Sequence, residues 1–296
     1  MIPQHLQHLA RDIRISHSIF ALPFALLATF LAAASVGARR PDAVAVGLIV
    51  LCMVLARTVA MTMNRWADAA HDATNPRTSG RAIPAGRLSR RYVLGASMVC
   101  AAGFVLGAAG FWWFHGNPWP LLASPVVLAW LVAYSFTKRF TWLCHLFLGS
   151  ALALSPLAAA LAIEPAWLGR PEPYLLALMV MCWVAGFDVI YALQDVSVDR
   201  KEGMFSMPAR LGVEPALWCS RGLHLVGVVA LVVMARINSD LGPVFAVGVA
   251  LVAVLLVIEH ALVWRSRTHH IHMAFFTING IISVLLGTLG IVDVYV

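Results

Sequence analysis

The sequence predicts an all-α membrane protein that crosses the bilayer several times. Of its 296 residues, 61% are hydrophobic and 12% are charged, whereas soluble globular proteins are about 45–50% apolar and about 25% charged. Continuously apolar stretches recur along the chain and lack the period-2 alternation of membrane β-barrels. Together with five isolated cysteines that show no CxxC spacing, these features exclude a soluble enzyme, a disordered chain and a disulfide scaffold.

About nine stretches reach the length of a spanning helix, which is about 20 mostly apolar residues. The predicted spans are 18–38, 43–63, 92–114, 119–136, 141–163, 173–193, 214–235, 241–264 and 271–295. The break between the fourth and fifth spans is short, so the count can be wrong by one there. The first span is longer than the roughly 7–15 residues of a signal-peptide core, and we therefore predict a retained helix.

The distribution of Lys and Arg predicts the orientation in the membrane. Fifteen of these residues lie in the N-terminal segment and the even-numbered loops, and four lie in the odd-numbered loops. The positive-inside rule then places the N-terminus and the even loops in the cytoplasm, and we expect a bacterial inner-membrane protein. The net charge of +7 follows from this topology. It indicates no nucleic-acid partner, and no obligate protein partner is inferred.

Two of the predicted cytoplasmic loops each carry an aspartate pair at spacing i, i+4. Asp68 and Asp72 follow the second span, and Asp195 and Asp199 follow the sixth. This spacing puts both carboxylates on one helical face, where like charges repel unless a cation offsets them. Mg²⁺ is typically held by one or two carboxylates plus substrate phosphates. Solvated helix ends show the same spacing, but both pairs lie on one predicted side and precede Arg-rich stretches, which favours a metal-bound diphosphate.

The segments around these pairs resemble the two signature motifs of the UbiA superfamily of intramembrane aromatic prenyltransferases. The matching elements are Asn64-xxx-Asp68-xxx-Asp72, Tyr191-xxx-Asp195-xxx-Asp199-xxx-Gly203, the stretch from Arg77 to Gly86, and the stretch from Tyr134 to Lys138 and Arg139. The likeness covers the whole chain, with the motifs in order. It implies a nine-helix bundle around a central cavity that opens to lipid, formed by one domain over residues 1–296 with two pseudo-related halves.

The resemblance also implies residue roles in a reaction with a polyprenyl diphosphate. Mg²⁺ on Asp68, Asp72, Asp195 and Asp199, with Asn64 as a further ligand or a support for Asp68, would neutralise the leaving diphosphate. The implied substrate-binding residues are Arg77, Arg81, Tyr134, Lys138, Arg139 and Tyr191. Arg81 could instead hold its loop in place, and either tyrosine could instead belong to the interfacial aromatic belt.

A carboxylate inside the sixth span indicates the acceptor site. An intramembrane carboxylate is costly and usually functional, and Asp188 resembles a family position that faces the aromatic acceptor. The resemblance implies an aromatic acid whose hydroxyl Asp188 orients and whose carboxylate Arg14 binds. The alternatives are a structural hydrogen bond for Asp188 and a purely topological charge for Arg14.

Several alternatives stay open from the sequence. The acceptor is 4-hydroxybenzoate, as in ubiquinone synthesis, or 1,4-dihydroxy-6-naphthoate, as in futalosine-pathway menaquinone synthesis, since His17 and Ser18 replace a Lys-Pro pair usual in benzoate enzymes. A secondary transporter also combines many helices with intramembrane charges, but its ions lie at the midplane. We expect His269, His270 and His272 to form a solvated interfacial cluster. Glu259 has no assigned partner.

Overall fold

The computed structural model describes residues 4–13, 20–38, 40–266 and 274–296, and the regular elements in these ranges are helices. They are α1 (Gln4–Asp12), α2 (Leu22–Ala34), α3 (Ala43–Thr74), α4 (Arg90–His115), α5 (Trp119–Thr137), α6 (Cys144–Ile163), α7 (Glu172–Ala192), α8 (Val196–Lys201), α9 (Met207–Leu211), α10 (Val213–Ile237), α11 (Pro243–Ser266) and α12 (Asn279–Asp293). Two 3₁₀ turns, Pro165–Gly169 and Leu193–Asp195, and a π-helical turn, Ala274–Ile278, join some of them.

The predicted all-α membrane architecture is confirmed. In the described part of the chain, eight helices are long and apolar enough to cross a membrane: α3, α4, α5, α6, α7 with its continuation to Lys201, α10, α11, and Phe276–Asp293. In the place of the first predicted span lies α2, an apolar helix of 13 residues. The count of about nine is therefore approximate, while the separation of the fourth and fifth spans into α5 and α6 agrees with the sequence.

The apolar helix α2 lies in the core of the bundle rather than at its edge. It packs against α6 and α12, and Phe24 and Leu27 are fully buried. The close approach of α12 to α2 depends on glycine. A Cβ on Gly287 would lie 2.6 Å from the Cβ of Pro23, and one on Gly290 would lie 2.6 Å from a methyl of Leu27. Small residues at such crossings let helix backbones approach within van der Waals contact.

The two aspartate motifs have different local structures. Helix α3 begins at an Asp42 cap, whose side chain accepts a hydrogen bond from the Ala45 N–H, and it continues past residue 63 to Thr74. The first motif therefore lies entirely on a regular helix. The second motif spans two elements, because α7 ends at Ala192, Asp195 closes a 3₁₀ turn, and Asp199 lies on the short α8.

The intramembrane carboxylate that lacked a partner in the sequence is part of a buried hydrogen-bonded chain. Asn279 Nδ2 donates to Glu259 Oε1 at 2.8 Å, and Trp183 Nε1 donates to Asn279 Oδ1 at 2.6 Å. These bonds join α11, α12 and α7, so Glu259 contributes to helix association. The predicted histidine cluster, His269, His270 and His272, lies outside the described residues.

Candidate active site

A cavity of about 930 Å³ runs through the helical bundle. Its lining extends along α3 from Ile49 to Asp72, which is roughly 35 Å at the rise per residue of an α-helix. The apolar part of the lining includes Ile49, Phe104, Phe111, Leu131, Leu148 and Leu152. The motif aspartates and several cations line the other part. The cavity is therefore suited to an elongated molecule with an apolar chain and an anionic end.

Each motif aspartate forms an ion pair with a different cation. The pairs are Arg139–Asp68 at 2.9 Å, Arg81–Asp72 at 2.6 Å, Arg77–Asp195 at 2.5 Å and Lys138–Asp199 at 2.7 Å. Carboxylates at buried positions require such compensation, since an unpaired buried charge is strongly destabilising. The four aspartates and their partners form an electrically balanced cluster at one end of the cavity.

The first motif is held by residues of α3 itself and of the loop that follows. Asn64 Nδ2 donates to Asp68 Oδ2 at 2.8 Å, and Arg65 in turn donates to Asn64 Oδ1 at 2.9 Å. Arg81 donates to both oxygens of Asp72, at 2.6 and 2.8 Å. In this geometry Asn64 is hydrogen-bonded to Asp68, and Arg81 joins the loop after α3 to the end of that helix.

Arg77 connects the first motif's loop to the second motif. Its guanidinium donates to both oxygens of Asp195, at 2.9 and 2.5 Å, and to Tyr191 Oη at 2.9 Å. Asn75 Nδ2 also donates to Asp195, at 2.9 Å. Burial alone would lower the pKa of Arg77, but its hydrogen bonds and proximity to Asp195 raise it. The loop after α3 and the end of α7 therefore form a single polar site.

Lys138 and Arg139 are neighbours in sequence but lie differently. Lys138 lines the cavity, whereas Arg139 does not; it donates to Asp68 and to the Ala67 carbonyl, both at 2.9 Å. Burial would lower the pKa of Lys138, but the charge and hydrogen bond of Asp199 raise it. Only Lys138 of the two is therefore placed to touch a ligand, and Arg139 supports Asp68.

Both predicted tyrosines line the cavity. Tyr134 Oη donates to the Ala60 carbonyl at 3.3 Å, and the Tyr191 ring lies 5.1 Å below the Arg77 guanidinium. These positions favour the site over an interfacial belt. Arg14, the remaining predicted substrate-binding residue, lies outside the described part of the chain.

Asp188 also lines the cavity, on α7 and deeper than the second motif. Its Oδ2 lies 2.6 Å from Nδ1 of His145, a residue of α6 that is 2% exposed. His145 also lines the cavity, and no sequence signal marks it, because it stands in an apolar run without any motif around it.

Arg57 is a further residue not predicted for the site; it lines the cavity from the middle of α3 and donates to the Ile13 carbonyl at 3.1 Å. An arginine inside a span is itself a functional signal, so Arg57 could have been found.

The aspartate cluster has the donor chemistry of a hard-cation site. In the described ranges, no three His, Cys, Asp or Glu side chains converge closely enough to hold a metal ion, since each motif carboxylate faces its own Arg or Lys. The donors are nevertheless carboxylate oxygens, which Mg²⁺ prefers. Cations that bind phosphate oxygens lie directly beside them.

Comparison with known proteins places these features in one family. Residues 21–281 match the UbiA prenyltransferase family. A 4-hydroxybenzoate octaprenyltransferase of Shewanella loihica is 28% identical over 256 residues, 84% of each chain, and one of Edwardsiella ictaluri is 30% identical over 229 residues, 75% of each.

Solved structures show the same architecture. An apo UbiA homologue from Aeropyrum pernix is 31% identical, with a TM-score of 0.84 over 94% of this chain and 98% of that one. A UbiA homologue from Archaeoglobus fulgidus, bound to GPP and Mg²⁺, is 20% identical, with a TM-score of 0.72 over 98% of this chain and 100% of that one. The second likeness concerns the fold alone.

Proposed function

The chain belongs to the UbiA prenyltransferase family and is an integral membrane prenyltransferase, and from this premise we propose that it transfers a polyprenyl group to a hydroxylated aromatic acid. The observation that carries the proposal is the division of one cavity into an apolar part and a cluster of four aspartates with their cations. A prenyl diphosphate has the same division, an apolar chain and an anionic head.

The polar cluster is suited to a diphosphate, because cationic side chains and metal ions held by the aspartates can both offset its negative charge. Arg77 and Lys138 line the cavity and can donate to phosphate oxygens, Arg as a fork and Lys as a point charge. Asp68, Asp72, Asp195 and Asp199 would then be left to hold Mg²⁺. When bound, Mg²⁺ supplies Lewis-acid neutralisation of the leaving group. Binding of the donor substrate would therefore separate the ion pairs of Arg77 and Lys138.

The proposed reaction is an electrophilic aromatic substitution. The bond between C1 of the prenyl chain and the diphosphate oxygen breaks, and the electron pair leaves with the diphosphate. A ring carbon of the acceptor forms a bond to C1 and then loses its proton, which restores aromaticity. The apolar wall, including Phe104 and Leu131, excludes water that would otherwise capture the allylic cation.

Asp188 is proposed to orient the acceptor. Its carboxylate lines the cavity away from the paired motif aspartates, so it can accept a hydrogen bond from the acceptor's hydroxyl and make the ring more electron-rich. Arg14 is proposed to bind the acceptor's carboxylate. The names of the relatives favour 4-hydroxybenzoate and an octaprenyl donor, with 1,4-dihydroxy-6-naphthoate as the second candidate on the basis of His17 and Ser18.

The decisive experiment offers both acceptors to the detergent-purified protein with octaprenyl diphosphate and Mg²⁺, and identifies products by mass spectrometry. The proposal expects one prenylated acid and an equal amount of diphosphate. Because detergent solution holds no gradient, turnover there excludes a pure transporter. Absence of product with both acceptors would refute the proposal.

The orientation is proposed from charge alone, with the aspartate cluster on the cytoplasmic side. A cysteine in place of Ser79, an exposed residue of the loop after α3, reports this side. We expect an impermeant maleimide to label it in inverted inner-membrane vesicles and not in right-side-out vesicles. The reverse pattern would refute the orientation.

A further inference from the structure

A buried histidine that also lines the cavity contacts the proposed acceptor-binding carboxylate. His145 Nδ1 lies 2.6 Å from Asp188 Oδ2, and the side chains are 3% and 23% exposed, respectively. The proposed function gives Asp188 its role and leaves His145 without one. We propose that His145 is a positioning residue, which anchors one oxygen of Asp188 and turns the second oxygen towards the acceptor's hydroxyl. This inference rests on the proposed function.

The hydrogen bonds of the imidazole determine its tautomer. The Met207 backbone N–H donates to His145 Nε2 at 3.2 Å. A ring nitrogen that accepts a hydrogen bond carries no proton, so the proton is on Nδ1 and is donated to Asp188. Asp188 thus accepts a hydrogen bond from an imidazole N–H, whereas each motif aspartate faces an Arg or a Lys.

The second carboxylate oxygen of Asp188, Oδ1, can accept a hydrogen bond from a ligand. Within the described residues, Asp188 Oδ1 accepts no hydrogen bond, and Asp188 lines the cavity. One oxygen is thus anchored and the other is left for a donor from a ligand. A phenolic hydroxyl is such a donor, and a charged acceptor makes its hydrogen bond stronger than a neutral one would.

The anchor of His145 also belongs to the diphosphate end of the cavity. Ser206, which precedes Met207, is fully buried and donates from Oγ to Asp199 Oδ2 at 2.7 Å. Two consecutive residues therefore hold Asp199 and His145. Through His145 and Met207, the position of Asp188 is therefore linked to that of Asp199 in the proposed diphosphate site.

Two substitutions of His145 separate the positioning role from a role in packing. His145→Asn keeps an N–H donor at the δ position for Asp188 and loses the bond from Met207. His145→Gln keeps an acceptor at the ε position and loses the δ donor. His224→Asn is the matched control, because His224 is equally buried, at 3% exposed, and does not line the cavity.

The measurement is steady-state prenylation of 4-hydroxybenzoate and of 1,4-dihydroxy-6-naphthoate, with melting temperature taken on the same preparations. We expect His145→Gln to lower kcat/KM for the acceptor by about 10-fold or more, as for one lost charge-assisted hydrogen bond. The KM for the prenyl diphosphate should stay within about twofold. His145→Asn should remain within about threefold of wild type, and His224→Asn should retain its turnover per folded molecule.

Equal impairment of both His145 variants, in proportion to their loss of melting temperature, would overturn the inference. If His145→Gln does not fold, a loss of about 10-fold or more in folded His145→Asn overturns it, and near-wild-type kinetics supports it. A wild-type protein that prenylates neither acceptor refutes the proposed function, and this inference with it.

Discussion

Lys138→Ala tests whether the cavity's lysine binds the donor diphosphate. Lys138 Nζ lies 2.7 Å from Asp199, and the two side chains are 33% and 5% exposed. On binding, the proposed mechanism moves this ammonium from the carboxylate to a phosphate oxygen. The substitution therefore removes a contact from the bound state and another from the free state.

The expected loss of binding free energy is the difference between the free energies of these two contacts. A charge-assisted hydrogen bond to the diphosphate contributes about 1.5–3 kcal/mol. The ion pair with Asp199 is lost when the diphosphate binds. Because Lys138 is one third exposed and the pair is partly screened by solvent, this loss subtracts about 1 kcal/mol from that contribution. The remaining 0.5–2 kcal/mol, on the order of 2- to 30-fold in affinity, is the expected loss. Because Asp199 raises the pKa of Lys138 despite burial, the loss should be constant from about pH 6 to 9.

The assay is calorimetric titration of the detergent-purified protein with geranyl diphosphate and Mg²⁺, alongside the acceptor KM. Lys201→Ala is the control, because this exposed lysine of α8 does not line the cavity, and its Kd should match wild type. An unchanged Kd in Lys138→Ala, or equal rises in the donor Kd and the acceptor KM, would refute the placement of Lys138 at the diphosphate.

Three further predictions follow from individual contacts. Asp195→Asn should abolish turnover per folded molecule and lower the melting temperature in detergent, because it leaves the Arg77 guanidinium without its carboxylate. Addition of EDTA to wild type should also abolish product formation, and full activity in either test contradicts the Mg²⁺–diphosphate proposal. Gly149→Ala should lower the melting temperature, because its Cβ would lie 2.2 Å from the Met181 carbonyl oxygen, a clash that costs about 1–3 kcal/mol or more. Gly95→Ala, whose Cβ would meet nothing within 4 Å, is the control, and equal melting temperatures would show that α6 and α7 are not so closely packed. Finally, partial burial would raise the pKa of Glu202, but hydrogen bonds from Thr74 and His71 lower it below 4.5, so its stabilisation is full above that value and is lost as the pH falls through the lowered pKa. Glu202→Gln should therefore flatten the decline in melting temperature on the acid side, and an unchanged decline would rule out this contribution.

The membrane class and the motif positions could be read from the sequence because both depend on local properties. Apolar length determines which segments can span a bilayer, so the limits of α5 and α6 fall within a few residues of the predicted spans. The predicted second span ends at residue 63, since polar residues outside the bilayer carry no apolar signal, and α3 continues beyond it through the first aspartate pair to Thr74. Likewise, the 3₁₀ turn at Leu193–Asp195 breaks a spacing that looked continuous in the sequence.

The partners of the predicted site residues required the tertiary structure. Arg77 reaches Asp195 on the other motif, whereas Arg81 returns to Asp72. Such choices depend on how loops far apart in sequence meet at one end of the bundle. Spacing within a single segment contains no information about them.

By itself, the sequence determined that this chain is a helical membrane protein and which acidic residues form the two motifs, because hydropathy and motif spacing act over one or two helical turns. Only the tertiary structure decided that His145 contacts Asp188 and that Glu259 is hydrogen-bonded to Asn279. The physical reason is that a buried polar group must find a hydrogen-bond partner wherever the packed helices provide one, and here the partners come from other helices.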